Sequence, residues 1–283
     1  EAAAPMEALL DRFTAAHRGL AEPTELNATH LINVSIVTVT AFAIIGLFDF
    51  CVARRFKKTY FALHVFANIV ITAYTFGGVL DSLANPTSST LPGPTGAVSQ
   101  IYLAWTYAIH IYHPIFFKTG TMDWVHHIPV YTLNTLMFSV LSGPAFQLQA
   151  CILTGIPGGV DYFLQVLEGE GLLSRALYKE LGSWINTHIR APLGWLSGYI
   201  CLVGLYRASQ AGEASSWQTI VFFLLGLHAC WNAPFFCRQA VEANILDTVN
   251  RFRLVGGELK LPKVRALSGK AVDSKGGDKS PLM

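Results

Sequence analysis

Charge is what this sequence has least of. Asp, Glu, Lys and Arg together make up 13% of the 283 residues, whereas soluble domains carry about 25%. Hydrophobic residues make up 52%, and the mean hydropathy is +0.41. Too few polar side chains remain to cover a soluble globule of this size, so the composition favours a membrane protein. It also argues against a nucleic-acid-binding protein, which would need a basic surface.

Cysteine and lysine are missing where two other classes of protein need them. The five cysteines all lie in or beside apolar segments, so no disulfide framework is expected. No lysine lies between Lys179 and Lys260, although a retinal protein needs a Schiff-base lysine in its last span. The sequence therefore argues against a rhodopsin-like protein.

Seven apolar segments follow residue 30, most of them close to the length of about 20 residues that a helix needs to cross a bilayer. They are residues 31–53, 60–80, 98–117, 124–141, 145–167, 192–206 and 217–240. This pattern predicts an all-α fold, a transmembrane helical bundle of about seven spans.

Positive charges alternate between the loops. Basic residues follow the first, third, fifth and seventh segments, whereas loop 81–97 contains no Lys or Arg and turn 142–144 contains no charge. By the positive-inside rule, the N-terminus is expected outside or in the lumen and the C-terminus in the cytosol. An odd number of spans also places the two termini on opposite sides of the membrane, in agreement with the loop charges.

The chain divides into four regions by composition. Residues 1–30 are expected to be an extra-membrane segment, 31–58 the first span with a basic loop, 59–240 a six-helix membrane core, and 241–283 a basic cytosolic tail, partly disordered. In the first region, Met6–Leu20 predicts an amphipathic helix with Leu9 and Leu10 on its apolar side. In the core, 169–190 has the spacing of an interfacial helix.

The most polar stretch near the membrane contains adjacent histidines, His126 and His127, at the start of the fourth segment. His110 and His113, on the third segment, share one helix face. Only a short connection separates the two pairs, so we expect them to approach each other near the cytosolic interface. A histidine there is suited to act as a general base.

Two carboxylates are expected to support these histidines. Asp123 precedes His126 by three residues and His127 by four, so it is placed to accept a ring N–H and set the tautomer. Asp161 lies inside the fifth segment, where an ionisable group is costly and usually functional, and we expect the histidines to be its partners. His64 and His228 stand alone on apolar faces and are expected to be structural.

A sequon, Asn27-Ala-Thr29, lies on the predicted outer side and predicts glycosylation at Asn27.

The stretch from Lys118 to Tyr131 resembles the signature of the TLC-domain family, best known from the ceramide synthases. That signature has a basic residue and an Asp shortly before a His-His pair that opens a transmembrane helix. The matching residues are Lys118, Asp123, His126 and His127.

The resemblance extends over about residues 60–240. Asp161 to Gln165 is similar to the second half of a later family motif. The first half of that motif, a His-Asp pair, is replaced by Pro157 and Gly158, and Gln165 replaces a Glu. Similarity to weaker family features is found at Asn186, Arg190 and residues 231–236.

The resemblance implies transfer of an acyl group from acyl-CoA to a lipid amine at the cytosolic face. It implies catalytic roles for His126, His127, Asp123 and Asp161, and lipid or substrate contacts for Lys118, His110, His113 and Tyr162. No cofactor is implied besides acyl-CoA as co-substrate. The partners would be membrane lipids, with a homo-oligomer or a larger membrane complex as the assembly. The endoplasmic reticulum or another endomembrane is the expected location.

Other interpretations remain open. A non-catalytic lipid-binding protein, or a subunit of a larger membrane complex, fits the same residues if packing seals them. His110-Ile-Tyr-His113 is similar to a fatty-acid elongase box, but Pro114 replaces its last histidine. Closely spaced histidines also bind iron or zinc. No metal is expected, because membrane di-iron oxygenases need several histidine boxes and two of the nine histidines precede the first span.

Overall fold

The computed structural model describes residues 3–93 and 97–254. Within these ranges the chain forms ten α-helices, in agreement with the predicted all-α fold. They are α1 (Ala3–Ala21), α2 (Ala28–Cys51), α3 (Thr59–Ala84), α4 (Ile101–Phe116), α5 (Thr121–Met137), α6 (Ala145–Ala150), α7 (Ile156–Gly169), α8 (Arg175–Ile185), α9 (Ala191–Gln210) and α10 (Ser216–Leu254).

Two pairs of helices are continuous through π-helical turns. Cys151–Gly155 joins α6 to α7, and Asn186–Arg190 joins α8 to α9. Residues 169–190, predicted as a separate interfacial helix, therefore run directly into the next apolar segment.

Four helical stretches of the described chain are long and apolar enough to cross a membrane. They are Ala28–Arg55, Thr59–Ala84, Ala145–Gly169 and Ser216–Phe252. The other three predicted spans are also helical, but α4 and α5 have only 16 and 17 residues, short of the usual length of about 20.

Local chemistry explains several helix ends. The Asn27 side chain accepts a hydrogen bond from the backbone N–H of His30 and caps α2, and the Ser174 hydroxyl accepts one from Leu177 and caps α8. Gly171 and Gly212 follow α7 and α9 and have φ of 77° and 70°. Glycine suits these positions after a helix end because it enters the left-handed region without a steric cost.

The loops gather at two opposite ends of the bundle. At one end, the backbone N–H of Gln100 donates to the Leu20 carbonyl over 2.8 Å, and Val98 N–H donates to the Ser142 carbonyl over 3.0 Å. At the other end, Lys58 Nζ lies 2.6 Å from Glu168 Oε2, and Arg175 Nε lies 2.8 Å from Asp247 Oδ1. Loops predicted to share a side of the membrane are thus in contact with each other.

The predicted amphipathic helix is present as α1, and its apolar side does not pack on the rest of the bundle. Leu9 and Leu10 are 64% and 62% exposed, whereas Ala16 and Leu20 are buried. The helix packs closely along α2, where Gly19 lies against the Asn33 side chain. A close approach of two helices favours small residues at the contact, so the larger leucines remain outside.

The last helix is longer than its apolar segment, because α10 continues through residues 241–254. These residues are helical rather than the beginning of a tail. The remainder of the predicted disordered tail, 255–283, lies outside the described residues.

Candidate functional site

Five histidines come together where α3, α4 and α5 meet. The ring centroids lie 4.1 Å apart for His64 and His113, 5.0 Å for His110 and His126, and 5.9 Å for His113 and His127. The structure thus brings the two predicted pairs together. His64, interpreted from the sequence as a lone structural histidine, belongs to the same cluster.

A chain of two hydrogen bonds sets the tautomer of His126. His110 Nδ1 lies 2.6 Å from the Thr106 carbonyl oxygen, which only accepts, so this nitrogen carries a proton. In the neutral ring, His110 Nε2 is then an acceptor. His126 Nε2, 3.0 Å away, must donate to it. The lone pair of the neutral His126 ring is therefore on Nδ1.

Several ring nitrogens of the cluster are buried without a hydrogen-bond partner among the described residues. They are His64 Nε2, both nitrogens of His113, His126 Nδ1 and His127 Nδ1. Buried polar atoms are almost always paired, since leaving one unpaired costs about 1–3 kcal/mol. This concentration of unpaired nitrogens at one place indicates a site that another molecule, such as water or a substrate, completes.

The cluster does not have the geometry of a metal centre as it stands. No three His, Cys, Asp or Glu side chains converge on one metal position in residues 3–93 and 97–254. The 3.0 Å contact between the two Nε2 atoms is accounted for by a hydrogen bond.

Tyrosines enclose the histidines. The Tyr162 ring stacks on His64 with centroids 4.3 Å apart, and the Tyr60 ring lies 4.3 Å from that of His113. The Tyr131 hydroxyl donates to the His110 backbone carbonyl over 2.6 Å. Tyr162, predicted as a lipid or substrate contact, is placed at the cluster through α7.

An apolar cavity adjoins the cluster at His126. It lies between α4, α5, the Ala145–Gly169 stretch and α10, and its cavity volume is about 70 Å³. Leu103, Val130, Leu133, Met137, Phe146 and Leu225 line its apolar walls. The polar side chains that reach it include Asn134, Gln149, His228 and Asn232. The lining, mainly apolar with a few polar groups, is of the kind found at small-molecule sites, although the enclosed space holds only a small group.

Asp123 and Lys118 lie at the edge of this site rather than in it. The Asp123 carboxylate accepts a hydrogen bond from the backbone N–H of Gly120 over 2.6 Å and so stabilises the start of α5. No hydrogen bond joins Asp123 to His126 or His127 in the described chain. Lys118 is exposed in the connection between α4 and α5.

Asp161 has a different partner from the one predicted. Its Oδ2 accepts a hydrogen bond from Gln165 Nε2 over 3.1 Å, one helical turn later, and no histidine of the described chain bonds to it. Asp161 faces α8, which approaches it closely at Gly182. On that helix, burial and then the Arg175 charge lower the pKa of Lys179, while Asp161 opposes the shift.

A buried arginine stands between Asp161 and the histidines. Arg190 is 8% exposed, and its Nη1 donates to Asn186 Oδ1 over 2.9 Å. The Phe236 ring connects the two regions, because its centroid lies 5.6 Å from the guanidinium carbon and 5.3 Å from the His126 ring. Both Arg190 and Asn186 belong to the π-helical turn that precedes α9.

Sequence reasoning missed three buried polar groups of this region. His64 and Asn68 are four residues apart on α3 and therefore share a face, a signal that was available. Asp49, at the end of α2, is 3% exposed. Asp49 is thus a second carboxylate inside a predicted span, besides Asp161.

Asn27 lies on the surface at the start of α2. Its Oδ1 caps the helix, and its Nδ2, the atom that would carry a glycan, donates to Glu25 over 3.2 Å. Glycosylation at this position stays a prediction.

Comparison with protein-family models, curated proteins and solved structures gave no match for this chain.

Proposed function

We propose that this chain is a multi-pass membrane protein that binds an acyl chain and transfers the acyl group, with His126 as general base. The observation that carries this proposal is the position of His126. It lines an apolar cavity while His110 and the Thr106 carbonyl hold its ring and leave a lone pair on Nδ1.

In the proposed reaction, the reacting end of an acyl chain enters the cavity at His126, and its thioester carbonyl, carried by acyl-CoA, lies near this histidine. The nitrogen of a lipid amine attacks this carbonyl as His126 Nδ1 accepts the proton of the amine. The new C–N bond forms, the C–S bond breaks, and the proton passes to the departing thiolate. His110 acts as a positioning residue for the His126 ring.

The arrangement of the helices supports seven crossings with the C-terminus in the cytosol. Successive loops alternate between the two ends of the bundle, and the basic residues Lys58 and Arg175 meet at one of them. The histidines lie near that same end. The TLC-like signature and a location in the endoplasmic reticulum belong to this proposal.

A second function, lipid binding without catalysis, is favoured by one observation. Neither predicted carboxylate reaches a histidine, since Asp123 bonds to Gly120 and Asp161 to Gln165. An enzyme of this kind would then work without a carboxylate in contact with its base. A lipid-binding protein needs only the cavity.

The test compares His126→Ala with the matched variant His188→Ala, because His188 is an exposed histidine of the same bundle. Each protein is purified in mild detergent, co-purifying lipids are identified by mass spectrometry, and acyl-CoA is added with lipid amines or alcohols. We expect turnover by wild type and His188→Ala, and a loss of about 100-fold or more in His126→Ala, as removal of a general base predicts.

The outcomes separate the two functions. Equal turnover in His126→Ala and wild type would exclude His126 as the base. A bound lipid without turnover in any protein would favour the binding function. In that case Ala150→Phe, which fills part of the cavity wall, should reduce the amount of co-purifying lipid.

A further inference from the structure

Arg190 carries a buried charge that the described chain does not pair. Its Nε has no hydrogen-bond partner, and no carboxylate lies within 4.0 Å of its guanidinium among the described ion pairs. The nearest acidic group across the helices, Asp161, bonds to Gln165 instead. A buried arginine is costly unless an anion or several acceptors surround it, so its surroundings indicate an anionic ligand.

Two donors converge at Gly158 on α7. A Cβ built on this glycine would lie 3.1 Å from Arg190 Nη2 and 3.3 Å from Asn68 Nδ2. Asn68, on α3, is 4% exposed. Arg190 Nη2 and Asn68 Nδ2, carried by different helices, therefore approach the same point beside Gly158, where a larger side chain would be crowded.

Both helices that form this space depart from α-helical geometry beside it. Arg190 ends the π-helical turn Asn186–Arg190, and Gly158 follows the turn Cys151–Gly155. π-helical turns inside α-helices are rare and frequently occur at functional sites. Here one of them carries Arg190 itself, and the other directly precedes the stretch that contains Gly158.

We propose that Arg190 and Asn68 bind an anionic oxygen, a carboxylate or a phosphate, on the head of an acyl lipid. The inference deepens the proposed function and rests on the cavity as the place of the acyl chain. Phe236 links the two parts, because its ring lies against both the Arg190 guanidinium and His126 at the cavity. The guanidinium matches an oxyanion with planar, charge-assisted hydrogen bonds.

Two other charges affect this position. The Asp161 carboxylate acts on Arg190 and opposes a bound anion. Lys179 on α8 lies close enough to Asp161 to offset part of this negative charge.

Gly158→Ala is the sharpest test, because the added methyl group would lie 3.1 Å from Arg190 Nη2 and 3.3 Å from Asn68 Nδ2 and would push both donors away from their common point without removing either. Gly159→Ala is the matched control, since its Cβ would meet the Asn68 Cβ at 3.3 Å but no atom of Arg190. Alanine is a better helix former than glycine, so neither change should unfold the helix. A second pair, Arg190→Gln and the exposed Arg207→Gln, tests the charge itself.

The probes are hexadecyl phosphate, hexadecanoate, hexadecanol and inorganic phosphate, with binding measured by native mass spectrometry and by the shift in unfolding temperature. Wild type, Gly159→Ala and Arg207→Gln should bind the two anionic amphiphiles about tenfold or more tighter than hexadecanol, since charge-assisted hydrogen bonds are about twice as strong as neutral ones. Gly158→Ala and Arg190→Gln should lose this preference while still binding hexadecanol.

Three results would change the conclusion in different ways. Equal affinity of wild type for hexadecanol and the anionic amphiphiles, or an undiminished preference in Gly158→Ala, overturns the anion site and leaves the acyl cavity standing. Binding of inorganic phosphate that Gly158→Ala abolishes, without any amphiphile binding, supports the anion site for a free anion and overturns the acyl cavity. Binding of none of the four probes overturns both.

Discussion

Asp49 illustrates how a single buried carboxylate is stabilised in this protein. The Tyr112 hydroxyl donates to its Oδ2 over 2.8 Å, and Arg54 Nη2 lies 3.5 Å from the same oxygen. The other oxygen, Oδ1, is buried without a partner in the described chain. Tyr112 is therefore the main support of this carboxylate, and it links α4, which carries two histidines of the cluster, to α2.

We expect Tyr112→Phe to destabilise the protein by about 1–3 kcal/mol, because it leaves a buried acceptor without its donor. Thermal unfolding in detergent should show a lower midpoint. Tyr199→Phe is the control, since Tyr199 is 64% exposed and should keep the wild-type midpoint. Equal midpoints for Tyr112→Phe and wild type would mean that water or Arg54 replaces the lost donor.

At the scale of elements, α9 and α10 pack through small residues. Gly194 lies against Ala233, and Gly198, four residues later, lies against Cys230 and the Gly226 carbonyl. Small residues four apart allow two apolar helices to approach closely, which is how helices associate where no hydrophobic effect drives them together. This contact positions Arg190 at the start of α9 and His228 on α10 relative to the cavity.

A leucine at Gly198 should separate these helices. We expect Gly198→Leu to cost about 1–3 kcal/mol or more, the usual result of overpacking, and to increase hydrogen exchange along α9 and α10. Gly77→Leu is the matched control, because Gly77 lies in the apolar helix α3 with no atom within 4 Å of its Cβ position. Similar exchange in both variants would contradict close packing of α9 on α10.

For the whole molecule, the described loops are grouped at two ends of the bundle. The Leu20–Gln100 and Val98–Ser142 contacts gather at one end, and the Lys58–Glu168 and Arg175–Asp247 pairs at the other. The two helices that carry four of the clustered histidines, α4 and α5, have only 16 and 17 residues and are shorter than the four long apolar stretches.

We expect the two termini to lie on opposite sides of the membrane. A glycosylation tag at the N-terminus should be modified in microsomes, and the same tag at the C-terminus should not. A tag inserted in loop 81–97, which the bundle places near Leu20, is the internal control and should also be modified. Modification of both terminal tags would require an even number of crossings and would overturn the seven-span arrangement.

Much of the architecture was predictable because it depends on local properties. All seven apolar segments are helical. They could be predicted because hydropathy and the helical spacing of apolar residues depend only on residues that are neighbours in the sequence. The approach of His110 to His126 followed from a short connection between two helices. Which side of α1 packs on α2, and how far α10 extends, could not be predicted, because hydropathy alone does not distinguish lipid-facing, protein-facing and solvent-facing surfaces.

The sequence by itself determined that the chain is helical and apolar and that one segment holds adjacent histidines. Only the tertiary structure decided which side chains meet them. His64 and Tyr162 come from distant helices, Asp161 bonds to Gln165, and Arg190 meets Asn68 across Gly158. The physical reason is that local helix geometry determines only which residues share a face. Which face contacts another helix depends on how all the helices pack.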